Sequence, residues 1–168
     1  DLATVRALFE AGADVMSSPS HEAAVEFAVK YYRVMGPVAQ VSLVLGDDGA
    51  VLSYDPIPSH DPGDDLYRAC VEFIVASHYR LDKDLYGPTF KFARIRVAYP
   101  APAHARAYRQ LFGCPIDFDQ PCNQVIVDAA WLADPTPYSD PITNAMAHET
   151  CEEVHAGLRR SEGIAARI

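Results

Sequence analysis

Residues 105–132, ARAYRQLFGCPIDFDQPCNQVIVDAAWL, constrain the fold more than any other stretch of the chain. The pattern predicts a short helix over residues 104–112 that ends at Gly113-Cys114-Pro115. Glycine accepts the left-handed backbone at a helix end, and proline cannot extend the helix. Two strand-like segments follow at residues 115–119 and 124–128, separated by a turn. A helix, an abrupt stop and two strands favour a domain of mixed α and β structure.

The rest of the chain alternates helices and strands in the same way. Apolar residues at helical spacing predict helices over residues 18–36, 64–81 and 141–158. Strand-like runs over residues 38–45 and 50–54 flank the hairpin signal Gly46-Asp47-Asp48-Gly49, and residues 90–99 form another such run. The predicted fold is therefore α+β, a largely antiparallel sheet of about five strands with helices packed on it. No linker divides the chain, so residues 1–168 are predicted to form a single domain.

Charge and composition exclude several classes of partner and cofactor. A net charge of −9 argues against a surface that grips nucleic-acid phosphates. The apolar runs are shorter than a membrane span and the first residues lack the order of a signal peptide, so a cytoplasmic protein with no membrane partner is expected. The four cysteines form no C-x-x-C pair and are expected to be reduced. No glycine-rich phosphate loop is present, and no cofactor is predicted.

The predicted helix at residues 64–81 has two apolar stripes. The stripe expected to face the core consists of Leu66, Cys70, Phe73, Ser77 and Leu81. A second stripe beside it consists of Val71, Ile74 and His78. A simple packing of one helix on one sheet needs only one such stripe, so the second indicates a further contact.

The predicted strand at residues 90–99 gives the other wall of a candidate ligand site. Alternation places Phe90 and Phe92 on the face opposite Ala93, Ile95 and Val97. A strand that is apolar on both faces needs another layer of protein or a ligand, so the effector pocket is predicted between this helix and this strand. The predicted ligand-binding residues are Tyr32, Ile74, His78, Phe90, Phe92 and Arg94. The alternative is that the apolar residues are ordinary core and that Arg94 is exposed on the sheet.

The last helix offers a chemical alternative, a small metal-dependent or hydrolytic enzyme. His148, Cys151 or Glu152, and His155 share one helical face, and such side chains are ligands for zinc. The sequence does not contain the zincin pattern H-E-x-x-H, because Glu152 occupies the position of the second histidine. A polar helix face is the preferred interpretation, and no catalytic or metal-ligating residue is predicted.

Two segments resemble one family of bacterial proteins. They are MSSPSHEAAVEFAVKYYRV, from residue 16, and YPAPAHARAYRQLFGCPIDFDQPCNQVIVDAAWLADP, from residue 99. Both resemble the N-terminal effector domain, of the arabinose-binding type, in AraC-type transcription regulators. Tyr99 stands where that family usually has a histidine, and Cys122-Asn123-Gln124 stands where Ala-Asn-Ala is common.

The resemblance implies a non-catalytic domain that binds a small-molecule effector and controls DNA binding. Family members bind DNA through a C-terminal pair of helix-turn-helix motifs, so DNA binding is expected only through that domain, which is absent from these residues. The chain has no initiator Met and is expected to be a fragment of a longer regulator. A homodimer is also expected, with self-association through the last helix, residues 141–160. The residues expected at that contact are Ala145, Met146, Val154 and Leu158.

Overall fold

The computed structural model describes residues 12–31 and 38–165, with side chains described as far as residue 157. The chain divides into two compact units. One comprises Asp1–Pro37 and Pro135–Ile168, and the other comprises Val38–Asp134. The single effector domain expected over residues 1–168 stays a prediction.

The predicted helices and strands occur in the predicted order, and two helical segments that were not predicted are added, at residues 12–17 and Ala129–Leu132. The helices are α1 (His21–Tyr31), α2 (Asp65–Tyr86), α3 (Ala105–Phe112), α4 (Ala129–Leu132) and α5 (Pro141–Ala165), and residues 12–17 are also helical. The strands are β1 (Ala39–Gly46), β2 (Gly49–Pro56), β3 (Arg94–Arg96), β4 (Ile116–Asp117) and β5 (Asn123–Asp128). Within the described residues, no helix combines the length and apolar character needed to cross a membrane.

One five-stranded sheet is the centre of the Val38–Asp134 unit. Its strand order is β1-β2-β5-β3-β4, and every pair is antiparallel except β3 with β4. The helix α2 packs on this sheet, as the contact between His78 and Tyr54 of β2 shows. The prediction of an α+β fold with a largely antiparallel five-stranded sheet is confirmed.

The predicted hairpin at Gly46–Gly49 joins β1 and β2 through the two-residue turn Asp47-Asp48. Gly49 has a φ of 137°, which side-chain-bearing residues rarely adopt. A Cβ atom at this position would lie 2.0 Å from the carbonyl oxygen of Val127 on β5. Glycine is therefore required both by the turn and by the close approach of the neighbouring strand.

The two faces of the sheet differ in character. On the face under α2, Leu52, Tyr54, Val125 and Val127 are buried. The other face carries a polar row, in which Arg96 donates to Gln124 and Gln124 donates to Ser53, both at 3.3 Å between heavy atoms. The alternation of apolar and polar residues along β2 and β5 thus follows from one covered and one open sheet face.

The orientation of α2 corrects the predicted core stripe. Leu66, Phe73 and Leu81 are 50%, 64% and 40% exposed, so the predicted stripe faces solvent except at Cys70. The buried residues lie on the neighbouring arc of the helix and are Tyr67, Cys70, Val71, Val75, Tyr79, Asp82 and Leu85. The helix is apolar over a wide arc, and spacing alone does not fix its rotation. The second predicted stripe, which includes Val71, is the one on the buried side.

The strand predicted over residues 90–99 is reduced to the three residues of β3, which corrects the idea of a strand apolar on both faces. Phe90 and Phe92 are fully buried but precede the strand in irregular backbone. Phe92 contacts Tyr79 of α2, and Ile95 shares a cavity wall with Val75 of the same helix. The alternation is interrupted at residue 93, so the phenylalanines and Ile95 both face α2.

In residues 105–132 the predicted helix and both strands form, but the strand predicted over residues 115–119 is reduced to Ile116–Asp117, and Ala129–Leu132 form a short helix that was not predicted. The helix α3 ends at Gly113, which has a left-handed φ of 63° and donates its N–H to the carbonyl oxygen of Arg109 at 3.1 Å. Asn123, at the start of β5, is buried, and its side chain forms hydrogen bonds with three other segments. Its Oδ1 accepts from the N–H of Ala98, and its Nδ2 lies 2.6 Å from the hydroxyl of Tyr67 and 3.1 Å from the carbonyl oxygen of Tyr54. This motif therefore serves turn formation and packing.

The other unit contains helices and connecting loops in its described residues. Thr136 donates its hydroxyl to the carbonyl oxygen of Ser18 at 2.5 Å, and Asn144 of α5 donates to Oδ1 of buried Asp14 at 2.9 Å. Tyr31 of α1 and Cys151 of α5 are fully buried. Residues 32–36 of the helix predicted over residues 18–36 lie outside the described residues.

Candidate functional site

A cavity of about 210 Å³ lies in the Val38–Asp134 unit between α2, the β3 segment and α3. An apolar cavity of about 150 Å³ is large enough for benzene, so this space admits a small organic molecule. The lining residues are Glu72, Val75 and Ala76 of α2, Ile95, Val97 and Tyr99 of β3 and the residues after it, and Tyr108, Leu111 and Phe112 of α3.

The helices α2 and α3 contribute to the cavity wall in the same way. Each contributes three residues at positions i, i+3 and i+4, which a helix places on one face. On α2 this triplet starts at Glu72, and on α3 it starts at Tyr108. Between them, Ile95 and Val97 form a buried apolar floor that the sheet holds in place. The cavity is therefore mostly apolar, which is typical of small-molecule sites.

One edge of the cavity is polar. The hydroxyl of Tyr108 donates to Oε1 of Glu72, and it also lies 3.0 Å from Nε2 of His104. The hydroxyl of Tyr99 is hydrogen-bonded to that of Tyr108. Nε of Arg68 lies 3.6 Å from Glu72, but its Nη2 is engaged by Asp65 at 2.7 Å. Glu72, Tyr99 and Tyr108 thus form a small group of donors and acceptors at the edge of an apolar space.

Burial sets the protonation of the two hydroxyl groups. It raises the pKa of Tyr99 to about 12, and it also raises the pKa of Tyr108, where the hydrogen bond to Glu72 adds to the effect. Both phenols are neutral near physiological pH. Among the described residues that line the cavity, Glu72 is the sole acid, and none is lysine, arginine or histidine. The lining residues therefore offer acceptor groups and one carboxylate, whose Oε1 lies 3.6 Å from Nε of Arg68 and 3.7 Å from Nε2 of His104 outside the lining.

A buried polar relay lies on α2 one turn beyond the cavity. Nδ1 of His78 is 2.7 Å from the hydroxyl of Tyr54, and Nε2 is 3.1 Å from Oδ2 of Asp82. Burial opposes the charged form of His78, but the Asp82 carboxylate outweighs it and raises the pKa of the imidazole. Burial also raises the pKa of Tyr54, and the charge of Asp82 adds to this. The relay holds α2 against β2.

Four of the six predicted ligand-binding residues lie beside the cavity and not in its wall. His78 belongs to the relay, and Phe92 packs on both His78 and Tyr79, with ring centroids 5.3 Å apart in each pair. Tyr79 in turn contacts Phe112 of the wall at 5.1 Å. Phe90 packs on Phe92 at 5.5 Å, and Ile74 is half-buried on α2.

Of the remaining two predicted residues, the structure describes one. Arg94 is on the open face of the sheet, where Nη1 donates to Oδ2 of Asp117 at 2.7 Å. Tyr32 lies outside the described residues. The helix and strand predicted to enclose the pocket do flank the cavity, but Glu72, Tyr99 and Tyr108 were missed. An acidic residue in helical register with Val75 and Ala76 was the sequence signal that could have indicated Glu72. The role of the six predicted residues as ligand contacts stays a prediction.

The face of α5 considered for an enzyme is occupied by internal contacts. Glu152 accepts from the hydroxyl of Tyr31 and pairs with Lys30 at 3.0 Å. His155 stacks edge-on against the Tyr31 ring, and Cys151 is fully buried. These side chains are arranged as a helix-packing contact.

His148, the other member of that face, meets a buried acid. Its Nδ1 lies 3.5 Å from Oδ2 of Asp14. Burial raises the pKa of Asp14, and the neighbouring His148 and Asn144 offset this only in part. The pair is a packing feature of the helical unit and is separate from the cavity, whose lining residues all belong to Val38–Asp134.

Comparison with known proteins first finds similarity to bacterial transcription regulators. The chain is 34% identical over 161 residues to the ornithine utilization regulator of Pseudomonas aeruginosa, covering 94% of this chain and 45% of that protein. The crystal structure of the transcriptional regulator CdpR from Pseudomonas aeruginosa has a similar fold, with a TM-score of 0.67 and 14% identity, over 86% of this chain and 50% of that one. The chain therefore spans about half the length of either regulator.

The particular family follows from residues 4–136, which match the arabinose-binding domain of AraC transcription regulators, N-terminal. The chain belongs to this family, as the resemblance predicted. The matched residues include every residue that lines the cavity.

Proposed function

We propose that this chain is the effector-sensing part of an AraC-type transcription regulator and that the cavity between α2, β3 and α3 is its effector site. The observation that supports this most is a ligand-sized apolar cavity with one polar edge, inside the part of the chain that matches the family. A site of this kind binds by burying apolar surface and uses a few polar groups for orientation.

The three walls explain how binding could be transmitted. The cavity is bounded by two separate helices and the sheet, so a ligand that fills it favours one arrangement of α2 relative to α3. A conformation selected in this way changes the affinity of a second site by the ligand's preference for that conformation. In our proposal the second site is a DNA-binding region in the part of the regulator outside these residues.

A matched pair of variants tests the site. Ala76→Phe places a ring at the cavity wall, and Ala69→Phe places the same ring on an exposed position of the same helix. Native mass spectrometry after dialysis against a bacterial metabolite extract should show a one-to-one complex with wild type and Ala69→Phe, and none with Ala76→Phe. A complex that Ala76→Phe retains in full would place the effector elsewhere.

We further propose that residues 1–168 do not bind DNA by themselves, have no catalytic activity and act in the cytoplasm. The net charge of −9 opposes contact with phosphates, and the known relatives are transcription regulators. A gel-shift experiment at low salt tests the first point. Sequence-specific retardation by residues 1–168 alone would overturn it.

The chain is also proposed to form a homodimer through α5. Ile142 and Met146 are 74% and 65% exposed, and together with Ala145 they form an apolar patch on one face of this helix. Val154 is half-buried, and the side chain of Leu158 lies outside the described residues. Large exposed apolar side chains that cluster in this way mark contact surfaces.

Sedimentation analysis separates α5 from the other exposed apolar surface. Met146→Glu should convert a dimer into a monomer. Phe73→Glu, at a comparably exposed residue of α2, should leave the dimer intact. A monomer produced by Phe73→Glu, with Met146→Glu still dimeric, would assign the interface to α2 and contradict the proposal.

A further inference from the structure

We infer that the cavity selects a compact amphipathic amine, meaning an aromatic or branched aliphatic body with one ammonium group. This inference rests on the proposed effector role of the cavity and adds the chemical class of the ligand. Size, charge and the arrangement of the polar edge each support it.

Size limits the body of the ligand. The cavity of about 210 Å³ exceeds the roughly 150 Å³ that holds benzene by about the volume of a short side chain. Its floor and sides are Val75, Ile95, Val97 and the rings of Tyr108 and Phe112. A long flexible polar molecule would leave its polar groups unsatisfied against these walls, at a cost in binding free energy. A single ring with a short substituent fills the space.

Charge selects the head group. Glu72 is the sole acid among the described lining residues, and no basic side chain lines the cavity to receive a carboxylate or phosphate. An anionic ligand would bring a like charge towards Glu72 in a partly desolvated space, whereas an ammonium group would gain charge-assisted hydrogen bonds.

Oε1 of Glu72 accepts from Tyr108 and lies 3.6 Å from Nε of Arg68 and 3.7 Å from Nε2 of His104. Arg68 also pairs with Asp65 at 2.7 Å, so we assign the other carboxylate oxygen of Glu72 to the ammonium group. The hydroxyls of Tyr99 and Tyr108 stay protonated and can complete the coordination as acceptors. The face of an aromatic ring also attracts cations, and Tyr108 provides one beside the carboxylate.

Three probes that share one ring test the inference on the chain of 168 residues. They are 2-phenylethylamine, 2-phenylethanol and phenylacetate, which carry a positive, a neutral and a negative head. Isothermal titration calorimetry should give the tightest binding for the amine, at least about tenfold tighter than for phenylacetate, because hydrogen bonds to charged groups contribute about that factor or more. Equal or tighter binding of phenylacetate would overturn the inference.

Two variants separate this inference from the proposed site itself. Glu72→Gln keeps the shape of the side chain and should weaken the amine about tenfold while changing the alcohol less than about twofold. Unchanged amine binding in Glu72→Gln, or no binding of the amine to wild type at about 1 mM, overturns the amine class. If instead Ala76→Phe binds the amine as tightly as wild type, the cavity is not the binding site and the proposed function of the cavity fails as well.

Discussion

Phe92 connects the core of the sheet unit to the cavity wall, and its truncation gives a quantitative test of this packing. The side chain is fully buried and contacts the rings of His78, Tyr79 and Phe90 at 5.3, 5.3 and 5.5 Å between centroids. Phe92→Ala removes this buried ring and leaves a void that the surrounding rings can fill only in part. The free energy of unfolding should fall by about 3–5 kcal/mol.

Urea denaturation followed by circular dichroism measures this loss. A domain with a total stability of about 5–15 kcal/mol should still fold, with a lower midpoint and an unchanged slope. Phe92→Leu is the matched control, since it keeps much of the buried volume and should cost clearly less than Phe92→Ala. A loss below about 1 kcal/mol in Phe92→Ala would refute the view that this residue is a central packing element.

The Phe92→Leu variant also tests the predicted role of Phe92 in ligand binding. In the structure Phe92 supports Tyr79, which supports Phe112 in the cavity wall. Ligand binding at a temperature where Phe92→Leu is fully folded should weaken only modestly, because the lining residues remain. A complete loss of binding in the folded variant would show a direct contact, as the sequence predicted.

Three further predictions address other positions. Gly49→Ala should destabilise the chain by about 1–3 kcal/mol or more in a thermal melt, since its φ is 137° and its Cβ would strike the carbonyl oxygen of Val127; an unchanged melting temperature would contradict this. Burial raises the pKa of Asp14, so the folded state loses stability as this acid ionises. The gain in stability of Asp14→Asn over wild type should therefore be larger at about pH 7 than at about pH 3. A gain confined to low pH would contradict this sign. Arg94→Ala removes a half-exposed ion pair with Asp117 and should cost only about 0–1 kcal/mol in urea, so a larger loss, or a loss of ligand binding, would assign it another role.

Much of the fold follows from local signals in the sequence. The Gly46–Gly49 turn and the Gly113 stop are positions where the backbone conformation admits few residues, and both elements were predicted there. The alternating burial along β2 and β5 is a local feature of the same kind. These features are determined within a few residues of chain, and a pattern is enough to find them.

The rotation of α2 and the length of β3 depend on tertiary contacts. Phe73 and Val71 are both apolar, and only packing against the sheet decides that Val71 is buried while Phe73 is 64% exposed. The break at Ala93, which brings Phe92 and Ile95 to the same side, has no marker such as glycine or proline.

The cavity lies between the helix and the strand segment named in the sequence prediction, but the residues of its wall were missed for the same reason. Its role as the effector site stays a prediction. Its polar edge joins Glu72 and Tyr108, which are 36 residues apart in the chain. Helical spacing shows that each belongs to an apolar face, but their meeting depends on how α3 crosses α2. Tyr99, a recognised departure from the family pattern, lies in the same wall. Its position there was not accessible from the sequence.

Methyl-group NMR during titration with an effector tests most directly whether the cavity is the effector site. If the effector binds in the cavity, the largest shifts should fall on the methyl groups of Val75, Ala76, Val97 and Leu111, which line it. Val44 and Val51 lie in the β1–β2 hairpin, away from the cavity, and should change little. Large shifts in the hairpin with unmoved cavity methyl groups would contradict the assignment of the effector site.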